Sequence, residues 1–216
     1  MAMRTHELHP MLIHAPLVLL PISAVAEVAA AGSSSGVRRR VLERVGSRLW
    51  WGTAATGLLA GLAGMAASRE VDLGDRRAQD AMFVHGLGNL VVVVGALGLA
   101  AWRSGRRASG LTAGFGTGAL LAALYTAWLG GELVYTHGAG VQTARGVGDA
   151  PPLFSREAPA RLTRDAAGGL GWLMRRAGRV LSGLEPLHAH ALAPRSRTVA
   201  EDASRHVGRP AAQPIG

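Results

Sequence analysis

The chain contains no cysteine. That excludes disulfides, thiolate metal sites and cysteine nucleophiles, and leaves the eight histidines as the main soft ligands. Lysine is absent as well, so all 23 basic residues are Arg and the formal charge of +9 is permanent. Aromatic residues make up 5% and charged residues 17%, which leaves long stretches with little that prefers water. No phosphate loop, nucleophile elbow, paired catalytic carboxylates or zinc-protease helix motif occurs. A basic balance of this size suits nucleic acid or anionic lipid. With no nucleic-acid module in the sequence, lipid is the expected partner and nucleic acid is not.

What is present is a set of four apolar runs, each near the roughly 20 residues that a helix needs to cross a bilayer. They are Met11 to about Ala31, Leu49 to Ala67, His85 to Trp102 and Leu111 to Leu129. Trp50, Trp51, Trp102 and Trp128 lie near run ends, where an interfacial aromatic belt belongs. A soluble bundle would show polar stripes every three or four residues, and Leu90 to Ala100 has none. The first run has Arg4 almost alone ahead of it and Pro16 and Pro21 within it. It therefore reads as a retained helix rather than a cleaved signal peptide. The expected fold is all-α: a polytopic membrane four-helix bundle over 1–142. A linker (143–157), an amphipathic basic helix (158–185) and a disordered tail (186–216) are expected to follow.

Arg38, Arg39, Arg40, Arg44 and Arg48 fill the first connection, and Arg103, Arg106 and Arg107 fill the third. The second holds Arg69, Arg76 and Arg77 beside Glu70, Asp72, Asp75 and Asp80. Basic loops stay in the cytoplasm, so both termini are expected on the outer side of the membrane. Eleven Arg after residue 142 pull the other way, but long tails orient a chain weakly. Gly57, Gly61 and Gly64, and again Gly114 and Gly118, have the small-xxx-small spacing that lets helices approach closely in lipid. Beyond Pro151-Pro152, the residues Leu162, Ala166, Leu170, Leu173, Ala177 and Leu184 recur at helical steps. Arg161, Arg164, Arg175 and Arg179 take the other side, a pattern suited to lying on anionic headgroups or docking on a protein.

The histidines carry the chemical question. His9 and His14 open the first run, His85 opens the third and His137 follows the fourth, so an up-down bundle brings all four to one end. Three readings stay open. His14 and His85 ligate a haem iron between helices; several imidazoles with Glu132 hold a divalent metal such as zinc; or the histidines are structural. Asn89, one turn after His85, is placed to orient that imidazole. Glu132 and His137 lie in a glycine-framed corner with Gly130, Gly131, Gly138 and Gly140, where a helix end holds them. Glu27, inside the first run, is expected to pair with an Arg. His188 and His190, in the tail, read as incidental.

His9-Pro10-Met11-Leu12-Ile13-His14-Ala15-Pro16, His85-Gly86-Leu87-Gly88-Asn89 and Gly130-Gly131-Glu132-Leu133-Val134-Tyr135-Thr136-His137-Gly138-Ala139-Gly140-Val141 together resemble the bacterial domain-of-unknown-function family 2231 over about residues 6–142. Ala15 departs from the aromatic usual between His and Pro in that pattern. The resemblance implies four spans, and fusion of some relatives to Rieske-type domains implies a redox setting and a redox partner protein. The expected function is a membrane component that binds haem b through His14 and His85, with His9, His137, Asn89 and Glu132 around them. The alternatives are a non-catalytic subunit whose basic tail binds anionic lipid or a partner, and a divalent-metal-binding protein.

Overall fold

A computed structural model describes residues 4, 7–34, 36–71, 73, 75–140 and 152–188. Among them lie six helices: α1 (Leu8–Leu12), α2 (His14–Ala31), α3 (Gly36–Glu70), α4 (Arg76–Gly105), α5 (Gly110–Tyr135) and α6 (Ala158–Leu181). No strand occurs among the described residues, only an isolated bridge between Arg4 and Pro152.

Local chemistry sets the helix boundaries. The Asp75 carboxylate accepts the Ala78 N–H (2.6 Å) to start α4. Ser109 and Thr112 form a reciprocal capping box at the start of α5. Gly138 (φ 67°) and Gly140 (φ 76°) take the left-handed conformation just past α5. The helix therefore runs through Gly130-Gly131 to Tyr135, and the glycine-framed corner expected at residue 130 begins later. Gly183 (φ 71°) likewise stops α6 at Leu181, short of the expected residue 185.

Helices α2, α3, α4 and α5 close into a ring in which each packs on its two neighbours, with α1 against α3. Large apolar side chains such as Val25, Leu58, Val91, Val94, Phe115 and Leu121 point outward. The interior is built mainly from Ala24, Ala30, Ala54, Ala60, Ala96 and Ala100 around Leu20, Trp50 and Leu129. A bundle with bulk outside and small residues inside is arranged for lipid: hydrocarbon surrounds the large side chains while helix backbones close on one another.

Among the described residues three segments are long and apolar enough to cross a membrane: Leu8–Ala31, Arg76–Gly105 and Gly110–Tyr135. The expected fourth, Leu49–Ala67, is not among them, although α3 completes the ring. Gly52, Thr53, Thr56, Gly57, Gly61 and Gly64 dilute its apolar character.

The amphipathic C-terminal helix is present, but its inner face lies on the bundle itself. Ala166, Gly169, Leu173, Arg176 and Ala177 are buried, and α6 packs on α3 and α4, while Arg164, Arg175 and Arg179 are exposed. Most of the expected linker and the tail after His188 lie outside the described residues.

Candidate functional site

Of the four histidines expected to converge, two meet. His9 on α1 places Nδ1 2.9 Å from the Ala60 carbonyl of α3. His85 on α4 places Nδ1 2.7 Å from the Thr126 carbonyl of α5. The two rings stand 6.3 Å apart, centre to centre, at 88°. Carbonyls accept, so each Nδ1 is the protonated nitrogen and each Nε2 carries a lone pair. The Asn89 amide nitrogen lies 3.1 Å from His85 Nε2, and the Thr126 hydroxyl donates to Asn89 Oδ1 at 2.8 Å. Asn89 thus orients the imidazole, as its spacing predicts, and ties α4 to α5. Two glycines make room for the rings: a Cβ at Gly64 would stand 2.9 Å from His9 Nδ1, and one at Gly130 2.9 Å from His85 Cε1.

His14 is elsewhere. It is exposed, with Nδ1 3.3 Å from the Met11 carbonyl on its own turn. Five helical residues turn the chain through about 140° from His9, so the two histidines of the opening motif face different ways. The ring that meets His85 is His9, which corrects the expected His14–His85 pair. His137 Nδ1 lies 3.4 Å from the Asp75 carboxylate that caps α4, and Glu132 accepts the Thr136 hydroxyl at 2.8 Å. The Ala78 N–H holds the Asp75 carboxyl below the usual carboxylate range; burial opposes this and the His137 charge adds to it. Among the described residues no three His, Asp or Glu side chains gather as a metal site, so the multi-imidazole site with Glu132 does not form here.

Two further polar clusters escaped the sequence reading in whole or part. At the arginine-rich end, Glu27 pairs with Arg103 as expected of an Arg partner: Nε donates to Oε2 at 2.9 Å, and Trp50 Nε1 donates to the same oxygen at 3.2 Å. Arg103 also donates to Glu43, whose oxygens accept the Ala108 N–H at 3.0 and 3.1 Å. Burial opposes the Glu43 charge, but the Ala108 N–H and the Arg103 guanidinium outweigh it and hold the carboxyl below its usual range. Under α6, buried Asp80 pairs with buried Arg176, which also donates to the Gln79 carbonyl and to Glu185. His188 Nδ1 lies 2.9 Å from Asp80 Oδ2, so this histidine is not incidental. The acid-rich second connection and the Arg-bearing C-terminal helix were the available signals, but nothing local pairs residues so far apart in the chain.

Apolar exterior, small-residue interior and membrane-length helices define the class: an all-α, multi-pass integral membrane protein. Within that class the chain belongs to the family described as Predicted membrane protein (DUF2231), whose model matches residues 5–143. The match takes in both histidines of the pair and the closing motif and stops short of α6. No curated protein and no solved structure matches the chain.

Proposed function

We propose that the chain is a redox-linked component of the bacterial cytoplasmic membrane, in which His9 and His85 would hold a b-type haem. The observation that carries this reading is the paired imidazoles, each with Nδ1 tied to a main-chain carbonyl. That is how proteins aim the other ring nitrogen at a metal. The two ring centres are 6.3 Å apart. Imidazole nitrogens are the kind of donor that haem iron takes. The space is tight: the Gly64 and Gly130 backbones stand against the two rings, and a porphyrin would need more room than that. A haem so held would supply one-electron transfer; the chain supplies the ligands and the apolar surroundings.

A second reading, a non-catalytic membrane subunit, is favoured by a specific contact: the Asn89 amide already engages His85 Nε2. In this reading the histidines, Asn89 and Thr126 are ties between helices. The absorption spectrum of detergent-purified protein, before and after dithionite, separates the two. The redox reading expects a Soret band with sharpened α and β bands on reduction. His9→Ala or His85→Ala should abolish them, and His14→Ala should leave them intact. A flat spectrum from cells well supplied with haem leaves the subunit reading.

A further inference from the structure

The seat of α6 on the bundle fixes the depth of the helix. On α3 no charged residue occurs between Arg48 and Arg69, about 32 Å at helical rise. On α4 no acidic or basic residue except His85 occurs between Asp80 and Arg103, about 35 Å. Both belts match the roughly 30 Å of bilayer hydrocarbon. Helix α6 sits at the same edge of both. Gly168 lies beside the Arg69 side chain, Gly169 against the Met65 carbonyl and Leu173 over Gly86, while Arg176 pairs with Asp80. That edge is headgroup depth.

The seat takes one face of α6 and leaves two. Leu170, Met174 and Leu181 recur at helical steps along the flank next to the seat, and all three are exposed. Arg164 and Arg175, about three turns apart on the outermost face, are exposed too. The charges do not cancel within the segment. Residues 152–188 carry six arginines against three carboxylates, or four with Asp80. Asp165 engages Arg161, Asp80 engages Arg176, and Glu185 lies between Arg176 and Arg179. Glu157 stands at the helix start next to Arg156. Among the described residues Arg164 and Arg175 have no carboxylate partner. An apolar flank beside an arginine face is the make-up of a helix lying in the interface, with its flank in the acyl edge and its cations on phosphate. We propose that α6 is a binding surface for anionic phospholipid, with Arg164 and Arg175 on the headgroup phosphates and Leu170, Met174 and Leu181 in the acyl edge. The surface is independent of whatever the His9–His85 pair holds.

Met174→Cys gives the full chain its only thiol, which takes a fluorescent maleimide before reconstitution into phosphatidylcholine vesicles. A minor fraction of either phosphatidylglycerol or phosphatidylcholine carries a nitroxide near the top of one acyl chain. A nitroxide quenches at short range, so it reports which lipid stands beside α6. The anionic lipid should quench several-fold more than the zwitterionic one, and the excess should shrink in high salt. Arg164→Gln with Arg175→Gln should remove the excess, and Arg164→Lys with Arg175→Lys should keep most of it. Unchanged protease resistance of α6 shows that the seat survives in both variants. Equal quenching by the two lipids with the arginines in place overturns the proposal, and so does an excess that persists without them. Quenching by neither lipid overturns it as well and gives the face to water or a soluble acidic partner.

Discussion

A hydrogen atom in place of a side chain at Gly130 lets α5 close on the His85 ring. A Cβ there would meet Cε1 at 2.9 Å, closer than real Cβ contacts come. Gly130→Ala should therefore cost about 1–3 kcal/mol as an overpacking change, read as a lower unfolding temperature in detergent. Gly118→Ala is the control. Its Cβ would meet nothing within 4 Å, so it should be neutral or stabilise by up to about 1 kcal/mol through helix propensity. The sequence marked Gly130 as special for the wrong reason: two adjacent glycines suggested a turn, and only the helix crossing shows that one of them is a seat for a ring. The histidines read similarly. That a histidine of the opening segment could meet His85 was legible from run order, whereas the choice of His9 over His14 depends on rotation about a helix, which five-residue spacing reports only once the helix is known to continue. Asp75 and Glu43 yield a pH prediction at the same scale. Both carboxyls are held below their usual range on folding. A group depressed in this way contributes stability that is complete above its unfolded value of about 4 and is lost as pH falls through the folded one. Their contribution, read as the difference in unfolding temperature between the wild type and the double variant below, should be constant from neutral pH to about 5 and shrink below that. Asp75→Asn with Glu43→Gln should start lower and decline less.

Helix α6 was legible as an element and not as a contact. Its period set Leu173 and Ala177 on one face and Arg164, Arg175 and Arg179 on the other, as found. Arg176 breaks that pattern by lying on the apolar face, and its reason is Asp80, 96 residues away. The Arg176 guanidinium also lies over Phe83, 5.0 Å from its ring centre. Gly169 allows the close approach, since any side chain there would collide with the Met65 carbonyl. Asp80→Ala takes the buried carboxylate from Arg176 and leaves it the partly exposed Glu185, a loss of up to about 3–5 kcal/mol. The family match ends at residue 143 and the ring of α2 to α5 packs without α6. The loss should therefore fall on α6 alone. Limited proteolysis should cut the variant within 152–181 and leave the membrane core whole; equal resistance of variant and wild type would show that apolar packing holds α6 unaided.

For the molecule as a whole, α3 decides the topology. Its 35 residues reach about 52 Å at helical rise, more than the roughly 30 Å of hydrocarbon to be crossed. The first turns carry Arg38, Arg39, Arg40, Arg44 and Arg48, which belong beyond the hydrocarbon. The remainder is too rich in Gly and Thr to announce itself as a span, yet it packs between α2 and α4, both of which are apolar enough to cross. A helix closing a ring with membrane-crossing neighbours has its polar backbone satisfied and its small residues buried, so low apolar character does not prevent it from spanning. If α3 crosses, the α2–α3 and α4–α5 connections share one side and the α3–α4 connection takes the other. The absence of native cysteine makes this directly measurable. Ser34→Cys and Gly105→Cys should resist a membrane-impermeant maleimide in intact cells and react after permeabilisation, because arginine-rich loops stay inside. Arg76→Cys should react without permeabilisation. Should Ser34→Cys and Arg76→Cys label alike, α3 would lie along the membrane rather than through it. The His9–His85 pair and the Glu27 cluster would then no longer occupy opposite ends of a four-helix crossing.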